Sequence, residues 1–386
     1  MAHRLGALTV LATATVVPML TIVTTASAAA PTDGAARQPW ASRVRATAPG
    51  TSRPHWRVFK TIAVKDTALN AVVALPGGTA WAGGKSSAAR PLLYHFAAGR
   101  WHLVRVVQQV GTSVQDIAGT SSTNVWATIA NADAVARVTS RGWSITSFGP
   151  TPSSKVCGVV TTGRNNTWVF TSDLASSNGV AHHYNGSRWT ATRLPAAATN
   201  GSGSEPASAS SAHNVWTWAF NASTRKYETM RFNGSRWQIF GLPAHLAPAG
   251  QQVQPQSMVA VSPTNVWATA YTTSLGVAGP VILLHWQGHG WTKVTGALPS
   301  GALSGPAARD GLGGIWLGAV SQGGAPEILH YRNGTWTTDQ VPASTAGVVS
   351  LTGLSLIPGT RSLWGTGLLN RTSLGHTSGA VIVKFG

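Results

Sequence analysis

The chain has 386 residues, with 28 Lys and Arg against 10 Asp and Glu, a formal net charge of +18, 17 Trp and one Cys. The single Cys157 excludes an internal disulfide framework. The charge favours anionic partners such as wall polymers or acidic polysaccharides, but the arginines are dispersed and no basic block with interleaved aromatics marks a specific nucleic-acid groove.

Residues 1–30 read as a secretory signal peptide. Arg4 forms the basic start, Leu5 to Val23 is an apolar stretch, and Ala26-Ser27-Ala28 is a small-residue cleavage motif with Ala28-Ala29-Ala30 the adjacent option. The mature protein is therefore expected to be secreted and extracellular, with no membrane span after cleavage. Residues 31–54 are rich in Ala, Thr, Pro, Gly and Arg and read as a flexible linker. One domain, residues 55–386, remains.

A repeat governs that domain. Trp81, Trp126, Trp168, Trp216, Trp267, Trp316 and Trp364 recur down the chain, and the first six are followed by Trp101, Trp143, Trp189, Trp237, Trp291 and Trp336. A period of about 42–51 residues marks a β-propeller with one four-stranded blade per repeat. Within each unit the spacing predicts four strands. In the fifth these are an apolar run at Met258–Val261, a strand holding Trp267, a third ending on His285-Trp286, and a fourth opening on Trp291. Segments such as Asn185-Gly186 and Asn233-Gly234 supply hairpin turns before the second Trp. The seventh unit stops at Val381–Gly386 without its second Trp, and His55-Trp56-Arg57-Val58-Phe59 has the form of the missing strand. The expected fold is all-β: a seven-bladed β-propeller of four-stranded antiparallel blades, the last closed by the N-terminal strand near Trp56, which removes open sheet edges.

Two columns recur across the blades. A basic residue recurs in the third strand seven times (His95, Arg137, His183, Arg231, His285, His330, Lys384). Such regularity reads as architecture, with these groups stacking on or bonding to neighbouring aromatics. The pairs His182-His183 and His285/His289 fall at this repeated hairpin and have no third ligand, so they do not read as metal sites. The second column lies eleven residues before each first Trp, counted without gaps: Asn70, Gln115, Cys157, Glu205, Gln256, Gly305 and Gly353. It is expected at the mouth of the central channel. With Asp116 and Lys155 beside it, its polar members Asn70, Gln115, Cys157, Glu205 and Gln256 are the candidate ligand-binding residues. Insertions at Ala196–Pro206, Pro243–Gln256, Tyr271–Pro280 and Leu368–Ser378 are expected as variable loops around that mouth.

No nucleophile elbow, zinc helix motif or phosphate loop is present. The blades resemble kelch and galactose-oxidase-type propellers, blade one most clearly through Gly83-Gly84, Tyr94 and Trp101. The galactose-oxidase resemblance implies copper held by two Tyr and two His with a Tyr–Cys crosslink. Cys157, Tyr271, His245 and His376 fall near the expected mouth, with Tyr227 a further contributor, but their spacing matches no motif and no ligand is assigned. The reading is a secreted, monomeric, non-enzymatic binding protein with no cofactor or metal. Its ligand is an extracellular or cell-wall polysaccharide, anionic ones included, or another protein. The alternative is a carbohydrate-active enzyme, a copper-radical oxidase or a hydrolase or lyase.

Overall fold

The computed structural model describes residues 54–104, 110–132, 134–139, 142–148, 154–173, 178–198, 207–221, 223–274, 277–295, 303–321, 325–370 and 377–386. The expected signal peptide, most of the linker, Glu205 and His376 lie outside these residues.

Seven antiparallel sheets follow one another along the chain. Blade 1 covers 68–104, blade 2 114–147, blade 3 154–193, blade 4 197–240, blade 5 252–293 and blade 6 303–340. Blade 7 takes three strands from 348–385 and its outermost from Trp56–Ile62. The innermost strands of successive blades touch all the way round, including blade 7 against blade 1, so the ring is closed. The chain is a seven-bladed β-propeller.

Closure follows the expected register. Trp56 faces Phe385, Arg57 faces Lys384 and Val58 faces Val383, with a bulge before Lys60. Trp56 then does for blade 6 what a second Trp does elsewhere: its ring meets Trp316 edge-on, centroids 5.9 Å apart at 82°. The same contact joins Trp126 to Trp189, Trp168 to Trp237, Trp216 to Trp291 and Trp364 to Trp101, at 5.3–5.5 Å and 78–90°. These five first Trp residues thus lean on the second Trp of the following blade, or on Trp56 in its place, a geometry that favours the ring quadrupoles.

The basic column takes the other side of the indole. In all seven blades it stands directly opposite the first Trp across the second and third strands. His95, His183, His285 and His330 stack flat on Trp81, Trp168, Trp267 and Trp316, with centroids 3.8–4.3 Å apart. Arg137, Arg231 and Lys384 place their charge 5.2–5.6 Å above Trp126, Trp216 and Trp364. The Asn two residues before the indole bonds differently in the two kinds of blade. With Arg opposite, Asn124 and Asn214 accept from the indole N–H at 2.9 Å. With His opposite, Asn166 and Asn265 accept from the imidazole Nε2–H at 2.7 and 3.0 Å. The indole N–H of Trp168 and Trp267 is then buried without a partner, which costs part of what the stacking contributes.

Antiparallel order gives the ring two unlike ends. The turns joining first to second and third to fourth strands lie at one end, here the turn face. The turns joining second to third strands and the connections between blades lie at the other, the connection face.

All four expected loops are partly strand, two of them in blade 5. Blade 5's first strand is Gln252–Ser262, longer than the apolar run at its centre, and Tyr271–Pro280 belongs to an extended hairpin of Asn265–Ser274 and Val277–Trp286. Polar β-branched residues such as Thr272 and Thr273 continue the ladder beyond the apolar core.

Candidate functional site

The mouth column coincides with a structural irregularity that recurs around the ring. Asn70, Gln115, Cys157 and Gln256 each sit where the innermost strand slips by one residue against its neighbour. A bulge residue is released from the ladder and bends its strand. In blade 6 the slip covers Gly305 and Pro306. In blade 7 it falls on Thr352, not on Gly353 as the ungapped count places it. The turn after blade 7's first strand is one residue longer than that of blade 1, a difference that the strand pairing reveals and that corrects the count. Blade 4's first strand is split into Ala197–Ala198 and Ala207–Ser211, and Glu205 falls in the undescribed interval.

Most of the column's side chains with described partners tie blades together. Asn70 Nδ2 donates to the Val114 carbonyl of blade 2 at 2.7 Å. Thr352 Oγ1 donates to the Leu69 carbonyl of blade 1 at 2.6 Å, and Ser257 Oγ to Gly305 O of blade 6 at 3.2 Å. Asp116 accepts the Val159 N–H of blade 3 at 3.0 Å. Burial pushes the Asp116 carboxyl up to about 7, partly opposed by the Val159 and Ile117 N–H groups. Cys157 is buried, with Sγ 3.3 Å from Ser172 Oγ. Gln115 and Gln256 are half-buried, and Lys155 lies on the same strand as Cys157, two residues earlier.

The central channel encloses about 390 Å³ between the innermost strands of all seven blades, toward the turn face. Asp116 is the candidate residue that lines it. Its wall is mostly small and apolar (Val73, Ala118, Val160, Val259, Ala308), with Arg309 exposed at its end. Ser355 and Ser208 cap the backbone N–H groups of Ala74 and Ala260 from the preceding blade, at 3.0 and 2.9 Å.

A second cavity, about 590 Å³, opens on the connection face. It lies between the second-to-third strand hairpin of blade 4 and the 241–251 connection into blade 5, within the expected Pro243–Gln256 insertion. Tyr227, Glu228, His245 and Gln251 line it. Tyr227 is half-buried against Phe220, ring centroids 5.2 Å apart, and burial followed by the nearby Tyr271 raises its phenol pKa. Glu228 accepts from Asn221 Nδ2 at 3.1 Å. Arg225 and His245 hold left-handed backbones, φ 53° and 60°, a conformation that side chains other than Gly rarely take. The sequence column missed this cavity because its residues do not recur.

The copper arrangement that the galactose-oxidase resemblance implies does not fit these positions. Cys157 packs in the core between blades 3 and 4 with Val160, Trp168 and Phe170, while Tyr227 and His245 line the cavity at the blade 4–5 junction. Among the described residues no three His, Cys, Asp or Glu stand together as a metal site.

No family model and no curated protein matches the chain in sequence. Solved structures do match in shape. A catalytically inactive virginiamycin B lyase from Staphylococcus aureus with quinupristin superposes with TM-score 0.61 at 14% identity, covering 86% of this chain and 99% of that one. A streptogramin B lyase gives TM-score 0.59 at 15% identity over 86% and 97%. YCF48 bound to a D1 peptide gives 0.58 at 12% over 86% and 95%. All are propellers. At such identities the likeness shows the shared fold.

Proposed function

We propose that this protein is a secreted, non-enzymatic binding protein whose ligand is an extracellular or cell-wall polysaccharide, held on the connection face in the sector of blades 4 and 5. The cavity there carries the proposal. It offers a half-buried aromatic ring, Tyr227, beside polar groups on two segments, Glu228 on one and His245 and Gln251 on the other. A flat ring for the apolar face of a sugar and fixed donors and acceptors for its hydroxyls are what a saccharide subsite needs. A rigid ring carrying variable loops is the usual place for such a site. Gln115 and Gln256 extend the proposed site toward the channel mouth, Glu205 joins them by its place in the sequence repeat alone, and Asn70, Asp116, Lys155 and Cys157 form its frame.

Secretion rests on residues 1–30, and the kelch-type kinship on blade 1. The double glycine has a packing reason of its own. A side chain on Gly84 would run into the Ala68 carbonyl, and one on Gly83 would meet Val114 of blade 2 at 2.5 Å. Similar rings include both a lyase and a peptide-bound protein, so fold alone does not choose between turnover and binding.

Calorimetry of the mature chain against a panel of neutral and acidic oligosaccharides tests the proposal. Tyr227→Ala and a Gln115→Ala/Glu205→Ala/Gln256→Ala variant are expected to weaken binding at least about tenfold with unchanged melting. Wild-type affinity retained by both variants overturns the site. Product formation from any panel member overturns the non-enzymatic reading in favour of a hydrolase or lyase.

A further inference from the structure

Charge is not spread evenly over this ring. The structure describes seven acidic residues. Asp66, Asp173, Glu228, Glu327 and Asp339 lie at or near the connection-face ends of their segments, and Asp116 is buried inside. Asp310 alone lies at the turn face. It is 3% exposed and spent on internal contacts. His330 Nε2 stands 2.9 Å from one carboxylate oxygen, and the other accepts the Leu312 and Gly314 N–H groups.

The turn face therefore shows solvent no acid among its described residues, yet it carries exposed Arg100, Arg164, Arg188, Arg236, Arg309 and Arg361. Arg100, Arg188 and Arg236 occupy third-to-fourth strand turns toward the rim. Arg164 and Arg361 occupy first-to-second strand turns nearer the channel, and Arg309 stands at its opening. The exposed lysines Lys65, Lys85, Lys226 and Lys293 belong to the connection face. The connection face also carries exposed Arg90, Arg193 and Arg225, but among the described residues the turn face has exposed arginines and no exposed lysine, which points to recognition of oxyanions: a guanidinium fork pairs with a carboxylate through two parallel hydrogen bonds, whereas an ammonium acts as a point charge.

We infer that the turn face is a second binding surface, independent of the connection-face site, and that it docks the protein on a carboxylate-bearing polysaccharide. A bilayer is disfavoured because, among the described residues, Leu312 is the large apolar side chain exposed on this face, too little to insert. Nucleic acid is disfavoured because the nearby rings, such as Trp189 and Tyr331, are engaged between blades and unavailable for base stacking. Arginines spread over a broad face can meet several segments of a hydrated polymer at once, so weak contacts add up.

The test uses the full mature chain, immobilised polygalacturonate and neutral dextran. Wild type is expected to bind polygalacturonate and not dextran, with log affinity falling linearly in log salt. An Arg100→Gln/Arg164→Gln/Arg188→Gln/Arg236→Gln variant should lose at least about tenfold at about 50 mM salt and show a shallower salt slope. A Lys65→Gln/Lys85→Gln/Arg90→Gln/Lys293→Gln variant, with the same loss of charge at the connection face, should stay within about threefold. Equal losses in the two variants would mean that net charge alone acts, and would overturn the inference. Binding of duplex DNA or phosphatidylglycerol vesicles as tight as that of polygalacturonate would overturn the choice of polymer. Loss of oligosaccharide binding by Tyr227→Ala leaves these outcomes untouched, so the two proposals fail separately.

Discussion

The turn face and the connection face are opposite ends of the same seven blades, and they obey different rules. Near the turn face, every blade repeats one device, a first Trp with a basic group flat on or over it, and in blades 2 to 7 that Trp makes an aromatic seam to the next blade. Toward the connection face the repeat dissolves. Blade 2 supplies a buried carboxylate, and blade 4 a split strand and, with the connection into blade 5, a cavity with two left-handed residues. Repetition marks what holds the ring together, and departure from it marks where a ligand can be told apart from others.

The largest test removes what both faces share. Deleting residues 31–59 takes away Trp56 and most of the strand that closes blade 7, exposing the edge of the Thr377–Phe385 strand. Aggregation and loss of a cooperative melt are expected on size exclusion and calorimetry. An intact melt would show that the seam is not what closes the ring.

Next come paired substitutions at the two ends. Trp267→Ala removes a buried indole stacked at 3.8 Å on His285 and should cost about 3–5 kcal/mol by chemical denaturation. Tyr227→Ala at the connection-face cavity should cost less than about 1 kcal/mol while removing ligand affinity. Comparable stability losses would break the division of labour.

The pH dependence sharpens it further, because a buried carboxyl and a half-buried imidazole act with opposite signs. The Asp116 carboxyl is raised from 3.8 to about 7 in the fold. As pH rises the unfolded chain ionises first, so stability falls between about pH 4 and 7 and levels off above. Asp116→Asn should abolish that limb and gain up to a few kcal/mol at pH 8, with little change at pH 3. His182 is lowered by burial from 6.5 to about 4. It draws stability down as pH falls through that interval, and His182→Gln should flatten the acid limb. Unchanged pH profiles in both variants would remove titration from the account.

The smallest effect concerns the stacking column. His285→Gln keeps a hydrogen-bonding group near Asn265 but loses the flat contact with Trp267, and should cost about 1 kcal/mol. A loss above about 3 kcal/mol would show that the imidazole does more than cover the indole.

Blade number, strand order, the Trp56 closure and the stacking of basic groups on indoles were all legible in the residues. Each depends on fixed spacings within one hairpin, or between neighbouring hairpins, and a cross-strand pair at a fixed interval can meet in only one register. The candidate site was less legible. An ungapped count finds Asn70 and Gln115 but places the blade 7 member on Gly353, because one added turn residue is invisible until strands are paired. The engagement of Asn70 and Asp116 with the next blade, the 590 Å³ cavity and the turn face with no exposed acid among its described residues escape a linear reading for the same reason. Each depends on which strand ends lie side by side once the ring has closed. Burial and the summed field at a surface belong to that arrangement, and no single repeat contains it.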